Sequence, residues 1–333
     1  MNVFITGGTG FIGSHLVKRL VQEDHHVTCL VRKTSDRRLL QSLGVAMVEG
    51  DVTQRESLHS GMQGCERVVH MAAAFSFWTP DPDIYPRTNV EGERNVMDVA
   101  LELGIPCIIE VSTFGIWGNA KEKPTNESSL FGEKRSGRYF QTKYEGHLIA
   151  RELYEKRGLP LVSVYPVAVT GAGDHTGYSP VMKMIKAGQF TSHLFPENHL
   201  PTVHVRDVVE VIARLLGKDC MIGEKFIVGK ENTTLAELSD MMCESLGLPC
   251  FQKTTSRSLA LYGSFIMTRI ADITKKPPLL DYEIMKMMQE DWLVDGSKVE
   301  RELGLTYTPV HLAIEELAAW LLEQEGKKTT VPA

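Results

Sequence analysis

The chain has 333 residues, of which 43% are apolar and 23% are charged, as in an ordinary globular protein. Its formal net charge is -6 at pH 7, which argues against a nucleic-acid partner. The six cysteines form no C-x-x-C pair and no zinc-like spacing, so they predict reduced thiols, a cytoplasmic protein and no metal site. A framework of widely spaced disulfides is the weaker alternative.

No apolar run in the sequence reaches the roughly 18 residues that a membrane span needs, so no stable membrane insertion is expected. The longest candidate, residues 259–270, contains Arg269. We interpret it as a lid or core helix, with contact to a membrane surface as the weaker alternative.

Short β-branched runs alternate with helical patterns through the first half of the chain. Strands are predicted at residues 3–5, 27–31, 45–48, 68–71, 107–111 and 161–165, and helices at 11–22, 89–103 and 138–157. This alternation is typical of βαβ units and predicts an α/β fold with a parallel sheet.

The pattern changes near Thr170, where glycine, proline and histidine become frequent. We therefore predict a first domain at 1–170, with returning segments near 203–230. A smaller lobe is expected at 171–325. The polar tail at 326–333 is predicted to be disordered.

A glycine-rich turn joins the first predicted strand to the first predicted helix. A pyrophosphate needs backbone N–H groups aimed at it, the positive end of a helix and no side chain in the way. The spacing of three between successive glycines meets these needs, although an ordinary strand-to-helix turn is the alternative. The residues predicted to bind a dinucleotide here are Gly7, Thr9, Gly10, Phe11, Ile12 and Gly13.

The second predicted strand ends in Arg32 and Lys33, where many dinucleotide sites have a carboxylate that binds the adenosine ribose. A guanidinium can instead bind a 2′-phosphate in a fork. The pair therefore predicts NADP(H) rather than NAD(H), with a solvated basic pair as the alternative.

Further cofactor contacts are predicted at two later strand ends. Asp51 could accept a hydrogen bond from the adenine amino group, with Val52 beside it, although a turn aspartate is the alternative. The small residues Ala72, Ala73 and Ala74 would let the backbone lie close to the ribose or nicotinamide. A tightly packed strand-to-loop junction would use the same residues.

Tyr139 and Lys143 are four residues apart on a predicted helix and so share one face. A nearby ammonium would lower the pKa of the phenol and help it to exchange a proton with a substrate. Thr113 follows the fifth predicted strand and could hold the substrate oxygen, with Ser112 as the competing candidate.

With these motifs in this order, the sequence resembles the extended short-chain dehydrogenase/reductase superfamily from Met1 to about Leu322. It is most similar to the dihydroflavonol reductase-like group and the hopanoid-associated sugar epimerase-like proteins. Further matching segments are Asn89-Val90-Glu91-Gly92, Tyr165-Pro166-Val167, Val203-His204-Val205-Arg206-Asp207-Val208 and Asp295-Gly296-Ser297-Lys298.

The resemblance implies a Rossmann-type, doubly wound parallel sheet that binds the dinucleotide, with a smaller C-terminal substrate-binding lobe. It implies Thr113, Tyr139 and Lys143 as the catalytic trio, and cofactor contacts from Lys143, Pro166 and Val167. It also implies a homodimer formed by the helices that contain Asn89 and Tyr139. Tyr165 and Trp117 depart from the usual arginine and tyrosine of the superfamily.

The expected activity is hydride transfer between NADP(H) and the carbonyl or secondary alcohol of a small molecule. A hydrophobic or aromatic substrate is predicted from the residues Phe75, Phe77, Trp78, Phe114, Trp117 and Tyr178, although each could be a core residue. No Asp-Glu pair follows Thr113, which disfavours a sugar dehydratase. A nucleoside-diphosphate-sugar epimerase with tightly bound NAD and a non-catalytic cofactor-sensing regulator remain as alternatives.

Overall fold

The structure is a computed structural model that describes residues 1–217 and 220–329. Its strands are β1 (Asn2–Thr6), β2 (His26–Val31), β3 (Ala46–Glu49), β4 (Arg67–His70), β5 (Ile108–Val111), β6 (Leu161–Pro166), β7 (Ala168–Thr170), β8 (Thr202–His204) and β9 (Lys225–Val228).

The helices of the first half are α1 (Phe11–Gln22), α2 (Arg38–Ser42), α3 (Arg55–Met62), α4 (Ile84–Pro86), α5 (Gly92–Glu102) and α6 (Gly137–Arg157). A π-helical turn, Arg87–Glu91, joins α4 to α5, and a 3-10 turn, Phe114–Trp117, follows β5. The later helices are α7 (Tyr178–Lys186), α8 (Val205–Leu215), α9 (Leu235–Ser245), α10 (Arg257–Thr274), α11 (Tyr282–Met288), α12 (Ser297–Leu303) and α13 (Val310–Thr329).

In the described part of the chain, seven parallel strands form one sheet in the order β3-β2-β1-β4-β5-β6-β9. The chain starts in the middle, winds outward to β3 and then returns to the other side of β1. The predicted Rossmann-type, doubly wound α/β fold is confirmed. The reversal leaves a crevice between the carboxyl ends of β1 and β4, where such sheets bind their ligands.

Apolar side chains cover both faces of this sheet, which explains why the strands read as continuous apolar runs. In β1, Val3, Phe4 and Ile5 are fully buried. One face packs against α3, α5 and α6 through a cluster that includes Phe4, Met62 and Val96. This packing fixes the strand ends that carry the predicted site.

The chain forms two compact units. The first contains Met1–Lys121, Glu127–Pro166 and Val209–Val228, and the second contains Glu122–Asn126, Val167–Val208 and the chain from Gly229 onward. Within the second unit, β7 and β8 pair in parallel, and α7, α9 and α13 share an apolar core that includes Met182, Leu238 and Leu317. The predicted tail at 326–333 lies partly outside the described residues, and α13 itself continues to Thr329.

The prediction that all six cysteines are free thiols is wrong for one pair. Cys107 and Cys220 form a disulfide with their Cα atoms 6.1 Å apart, and both lie in the first unit. They are 113 residues apart in sequence, so only the fold brings them together. Since one disulfide is present, the cysteines no longer support the predicted cytoplasmic location.

The segment 259–270 is helical, as predicted, and lies within α10. It is not a core helix, because most of its large apolar side chains are exposed. Among the described residues, no helix is long and apolar enough to cross a membrane.

The disulfide should be detectable by alkylation of the denatured protein. Without reduction, we expect modification of Cys29, Cys65, Cys243 and Cys250 alone, and after reduction also of Cys107 and Cys220. Closing a loop of this length stabilises a protein by up to about 4.7 kcal/mol. Cys220→Ser should therefore lower the free energy of unfolding, whereas Cys250→Ser should change it little. Alkylation of all six cysteines without reductant would contradict the disulfide.

Candidate active site

The glycine turn lies at the carboxyl end of β1, beside β4. Gly7 has φ = +76°, a conformation that glycine adopts without strain, and its carbonyl accepts a 2.9 Å hydrogen bond from the Gly10 amide. Helix α1 then begins at Phe11, with Gly10 as its N-cap residue. The turn is closed by the backbone alone, which leaves the first amides of the helix available to an anion.

The glycines of this turn keep its backbone free of side chains. A Cβ on Gly13 would lie 2.1 Å from the Gly7 carbonyl oxygen, so α1 can approach β1 this closely only with glycine there. Gly10 and Thr9 are exposed at the tip of the turn, and Phe11 and Ile12 are partly exposed. The backbone of the turn is therefore accessible at the point where the sequence predicts a phosphate.

The basic pair predicted to contact the cofactor is exposed at the carboxyl end of β2. Arg32 forms a turn with Ser35, whose amide donates to the Arg32 carbonyl at 3.0 Å. The Arg32 guanidinium has no ion pair or hydrogen bond with any described residue. Arg37, by contrast, is held by Glu49 at 2.6 Å. Arg32 and Lys33 are thus the exposed cations at this strand end.

Asp51 has the turn role that the sequence left open. Its Oδ1 accepts from the Thr53 amide at 3.0 Å and from the Thr53 hydroxyl at 2.9 Å. Val52 is buried against Gly92, and its carbonyl accepts from Asn95 at 3.1 Å. A cofactor contact from Asp51 and Val52 therefore stays a prediction.

The loop Ala72-Ala73-Ala74 after β4 is held at both ends. The Ala72 amide donates to the Thr6 hydroxyl at 3.1 Å, and the Ala74 amide donates to Oδ1 of Asn89 at 2.8 Å. Asn89 is buried, and its Nδ2 also donates to the Thr142 hydroxyl on α6 at 3.0 Å. Asn89 therefore joins this loop to the helix that carries the predicted catalytic pair.

Tyr139 lies near the start of α6, among aromatic rings. Its ring centroid is 5.0 Å from that of Phe75, 6.4 Å from that of Phe77 and 5.2 Å from that of Phe140. Burial in this setting raises the pKa of Tyr139 well above its usual value of 10. The sequence argument that Lys143 would lower this pKa is wrong, because burial moves the pKa of Tyr139 in the opposite direction. The hydroxyl is therefore protonated at neutral pH.

Lys143 is almost completely buried, and its ammonium is held by the elements beside α6. It lies 3.6 Å from Oε2 of Glu93 and donates to the carbonyl of Val111 at 3.3 Å. Burial raises the pKa of Glu93, but the facing His70 and Lys143 outweigh burial and hold this pKa at about 2. The ammonium of Lys143 is thus paired with the carboxylate of Glu93.

The other side of Glu93 faces His70 at 3.4 Å. The Thr6 hydroxyl accepts from the amides of Met71 and Ala72, so its own proton goes to Nδ1 of His70, at 2.6 Å. This assignment places the ring proton of His70 on Nε2, facing the carboxylate. We call Thr6, His70, Glu93 and Lys143 the buried charge cluster.

Thr113 caps the 3-10 turn after β5. Its side-chain oxygen accepts from the Gly115 amide at 3.3 Å, so its hydroxyl proton can be donated elsewhere. The competing Ser112 is buried, and its hydroxyl has no hydrogen-bond partner among the described residues. Phe140, next to Tyr139, packs against Gly115, so α6 and this turn are in contact.

Pro166 is the last residue of β6 and belongs to the first unit, whereas Val167 belongs to the second unit. Both are buried. Their predicted contact with the cofactor stays a prediction.

Three of the residues singled out near the motifs are core residues. Trp117 is fully buried, and its ring lies 4.8 Å from that of Tyr165, whose hydroxyl is 3.3 Å from Nε2 of His147. Tyr178, in the second unit, is buried and bonded to the Thr202 hydroxyl at 2.6 Å. The prediction that Trp117 and Tyr178 line a substrate pocket is therefore not supported, whereas Phe75 and Phe77 do lie beside Tyr139.

Sequence reasoning missed the roles of Glu93, His70 and Asn89. Asn89 falls within a segment that carries the family resemblance, but nothing local assigns it a partner. Glu93 could have been suspected, because a carboxylate in a helix that otherwise buries its apolar residues needs a cation nearby. In the described part of the chain, no group of three or more His, Cys, Asp or Glu side chains could hold a metal ion.

A doubly wound sheet with a glycine turn at its switch point is typical of dinucleotide-binding Rossmann proteins. A sequence profile of the NAD dependent epimerase/dehydratase family matches residues 3–229. The chain belongs to this family, which confirms the resemblance seen in the sequence.

Curated relatives include reductases that match nearly the whole chain. A Synechocystis protein named "Putative dihydroflavonol 4-reductase" is 29% identical over 98% of this chain and 96% of its own. The 4-hydroxy-2-methyl-3-oxo-4-farnesyl-3,4-dihydroquinoline-1-oxide ketoreductase of Stigmatella aurantiaca is 28% identical over 93% of each chain.

Solved structures share the fold over the same length. The crystal structure of gox2253 superposes with a TM-score of 0.82 at 28% identity, covering 97% of this chain and 98% of that one. The Bordetella bronchiseptica enzyme WbmG in complex with NAD superposes with a TM-score of 0.76 at 22% identity, covering 97% and 94%.

Glu93→Gln tests the buried charge cluster. The change leaves Lys143 buried without a counter-charge, which should lower the free energy of unfolding by about 3 kcal/mol at pH 7. Glu91→Gln, an exposed neighbour, should stay within about 0.5 kcal/mol of the unmodified protein. Urea denaturation of the three proteins measures both differences.

The contribution of Glu93 to the stability of the fold should decrease as the pH is lowered. The pKa of Glu93 is about 2 in the folded chain, below its ordinary value of 4.5. Its contribution to the free energy of unfolding is therefore present above pH 4.5 and is lost as the pH falls toward 2. The gap between the unmodified protein and Glu93→Gln should therefore narrow as the pH is lowered from 7 toward 3. A gap that is absent at pH 7, or that widens in acid, would show that Glu93 is not ion-paired.

Proposed function

We propose that this chain is an NADP(H)-dependent oxidoreductase. It would transfer hydride to the carbonyl, or from the secondary alcohol, of a small hydrophobic or aromatic substrate. The observation that carries the proposal is the protonated Tyr139, held among aromatic rings on the helix that also carries Lys143. Relatives named as reductases over nearly the full chain support the same reaction class.

In a reduction, different residues of the first unit would have different roles. When bound, NADPH would supply the hydride that adds to the carbonyl carbon. Tyr139 would give its proton to the carbonyl oxygen as negative charge develops there. The Thr113 hydroxyl would donate a hydrogen bond to the same oxygen and hold it in place, without giving up its proton.

Lys143 would anchor the cofactor ribose rather than tune the tyrosine, because Glu93 already neutralises its charge. The raised pKa of Tyr139 suits a proton donor and disfavours a proton acceptor at neutral pH.

NADP(H) is proposed over NAD(H) because of the charge at the end of β2. Arg32 and Lys33 are exposed there, and the Arg32 guanidinium is not committed to any described residue. A 2′-phosphate placed at this strand end would gain charge-assisted hydrogen bonds from the guanidinium, whereas a ribose hydroxyl would gain much less.

The substrate class rests on the side chains that surround the proposed proton donor. Phe75 is half exposed and Phe77 partly so, and both rings lie within 6.4 Å of the Tyr139 ring. Apolar rings beside the reacting carbonyl would bind an apolar or aromatic substrate and would give few hydrogen bonds to a sugar. The farnesyl-bearing compound in the name of the Stigmatella relative is consistent with this class.

Replacement of Arg32 tests the cofactor. Arg32→Ala should weaken NADPH binding by about 10-fold or more and leave NADH binding unchanged, since a hydrogen bond to a charged group contributes about 1.5–3 kcal/mol. Arg38→Ala is the matched control, because Arg38 is already paired with Asp36. Fluorescence titration with both dinucleotides measures the effect. Tighter binding of NADH than of NADPH by the unmodified protein would overturn this part of the proposal.

Tyr139→Phe tests the proton donor. With a panel of aldehydes and ketones, kcat should fall by about 10²-fold or more, while NADPH binding is retained. Tyr154→Phe, toward the far end of α6, should keep full activity. Conversion of a UDP-sugar without net loss of NADPH would favour the epimerase instead.

The alkaline side of the rate profile provides a second test of Tyr139. Because its pKa is raised, reduction should show no loss of rate from this group below about pH 10. An alkaline midpoint between pH 7 and 9 that disappears in Tyr139→Phe would contradict a protonated tyrosine.

A further inference from the structure

Helix α10 presents its large apolar side chains outward. Five of them are between 54% and 82% exposed: Leu259, Tyr262, Ile266, Ile270 and Ile273. Their spacing of three, four, four and three residues puts them on one face of the helix. We call these five residues the α10 apolar face.

The opposite side of α10 consists mostly of small residues, with Leu261 as the one large apolar side chain that packs against the core of the second unit. Its buried positions are Ala260, Ser264 and Ala271, and Thr268 on the same side accepts from the Tyr282 amide of α11 at 3.0 Å. A surface helix normally buries its large apolar residues and exposes its polar ones. In α10 this order is reversed, and an exposed apolar surface of this kind marks a contact with a partner.

The charge around the α10 apolar face indicates a partner with negative charge. Between residues 253 and 276 the chain has five basic residues and one acidic residue, a net charge of +4 on a chain whose total is -6. The basic residues are Lys253, Arg257, Arg269, Lys275 and Lys276, and all five are exposed. The acidic residue, Asp272, lies 3.4 Å from Arg269.

Helix α11 packs against α10, and its acidic residues do not neutralise the positive charge of residues 253–276. Its Glu283 is paired with Lys286 at 3.1 Å. Asp281 is buried and caps the start of α11 by accepting from the amides of Glu283 and Ile284. Both ends of the α10 apolar face therefore remain basic.

We propose that α10 is an interfacial helix that docks this protein on an anionic lipid surface. An apolar face with basic residues at both ends, Lys253 and Arg257 at one and Lys275 and Lys276 at the other, fits the boundary between acyl chains and anionic headgroups. Its 18 residues span about 27 Å and would lie in the plane of the surface. Tyr262 and Phe265 supply the aromatic rings that this boundary favours.

A second copy of the chain fits this face less well. Two such helices placed face to face would bring their basic ends together, and like charges oppose such a contact. The lipid proposal goes beyond the proposed reaction and does not depend on it, because the α10 apolar face contains none of the residues assigned to catalysis or cofactor binding.

Vesicle flotation of the full-length protein tests the proposal. We expect binding to vesicles of phosphatidylcholine with phosphatidylglycerol, at least 10-fold weaker binding to pure phosphatidylcholine, and weaker binding in 0.5 M NaCl. The double variant Ile266→Gln and Ile270→Gln should lose at least 10-fold in binding. Because both positions are exposed, its thermal unfolding should match that of the unmodified protein.

Two further variants control the result. Leu312→Gln with Leu322→Gln changes exposed apolar residues of α13, in the same unit, and should bind vesicles normally. Lys275→Glu with Lys276→Glu keeps the apolar face and should lose binding to the anionic vesicles. This charge variant also keeps the proposal testable if the glutamine variant fails to fold.

The proposal is overturned if the unmodified protein binds neither kind of vesicle, or if the α13 variant loses as much binding as the α10 variant. Sedimentation velocity distinguishes the main alternative. Self-association that the Ile266 and Ile270 changes abolish, in a protein that does not bind vesicles, would make this face a contact between two copies of the chain.

Discussion

The buried ammonium of Lys143 is the constraint around which the first unit is arranged. Removing such a group from water costs several kcal/mol unless an opposite charge faces it. Glu93 supplies that charge from α5, and His70 at the end of β4 and Thr6 at the end of β1 complete the cluster. One charge thus connects two helices with the two strands that flank the switch point.

Close packing makes this connection possible. A Cβ on Gly146 of α6 would lie 2.2 Å from the carbonyl oxygen of Asn89, so the helix and the π-helical turn before α5 touch through backbone. Since Gly146 and Lys143 are three residues apart, they lie on the same side of α6. The close contact at one therefore brings the other within reach of Glu93. Tyr139, one turn before Lys143, is buried among aromatic rings that raise its pKa, so its hydroxyl keeps its proton.

Local patterns in the sequence were enough to predict most of the strands and helices, the glycine turn and the pairing of Tyr139 with Lys143 on one helix, because each depends on residues close to it in sequence. The doubly wound arrangement of the strands was expected only from the resemblance to a known superfamily. The buried charge cluster was not predictable, because Glu93 and Lys143 are joined only when α5 and α6 pack. The Cys107–Cys220 disulfide was not predicted for the same reason, because its two cysteines are 113 residues apart in sequence. The pKa of Tyr139 was predicted with the wrong sign, because burial by Phe75 and Phe77 depends on a loop 60 residues away.

Helix α10 shows a different limit of the sequence. Composition and periodicity predicted that residues 259–270 form a helix, but apolar content alone does not say which face turns inward. Ala260, Ser264 and Ala271 sit where the helix is buried, and larger side chains at those positions would push α10 away from α11. A helix rotated to bury Leu259, Ile266 and Ile270 would lose that fit. Both faces of α10 are therefore specified by its sequence. Leaving the α10 apolar face in water loses about 25 cal/mol of stabilisation for each Å² of apolar surface that could have been buried. That stabilisation is regained only when another apolar surface covers the face.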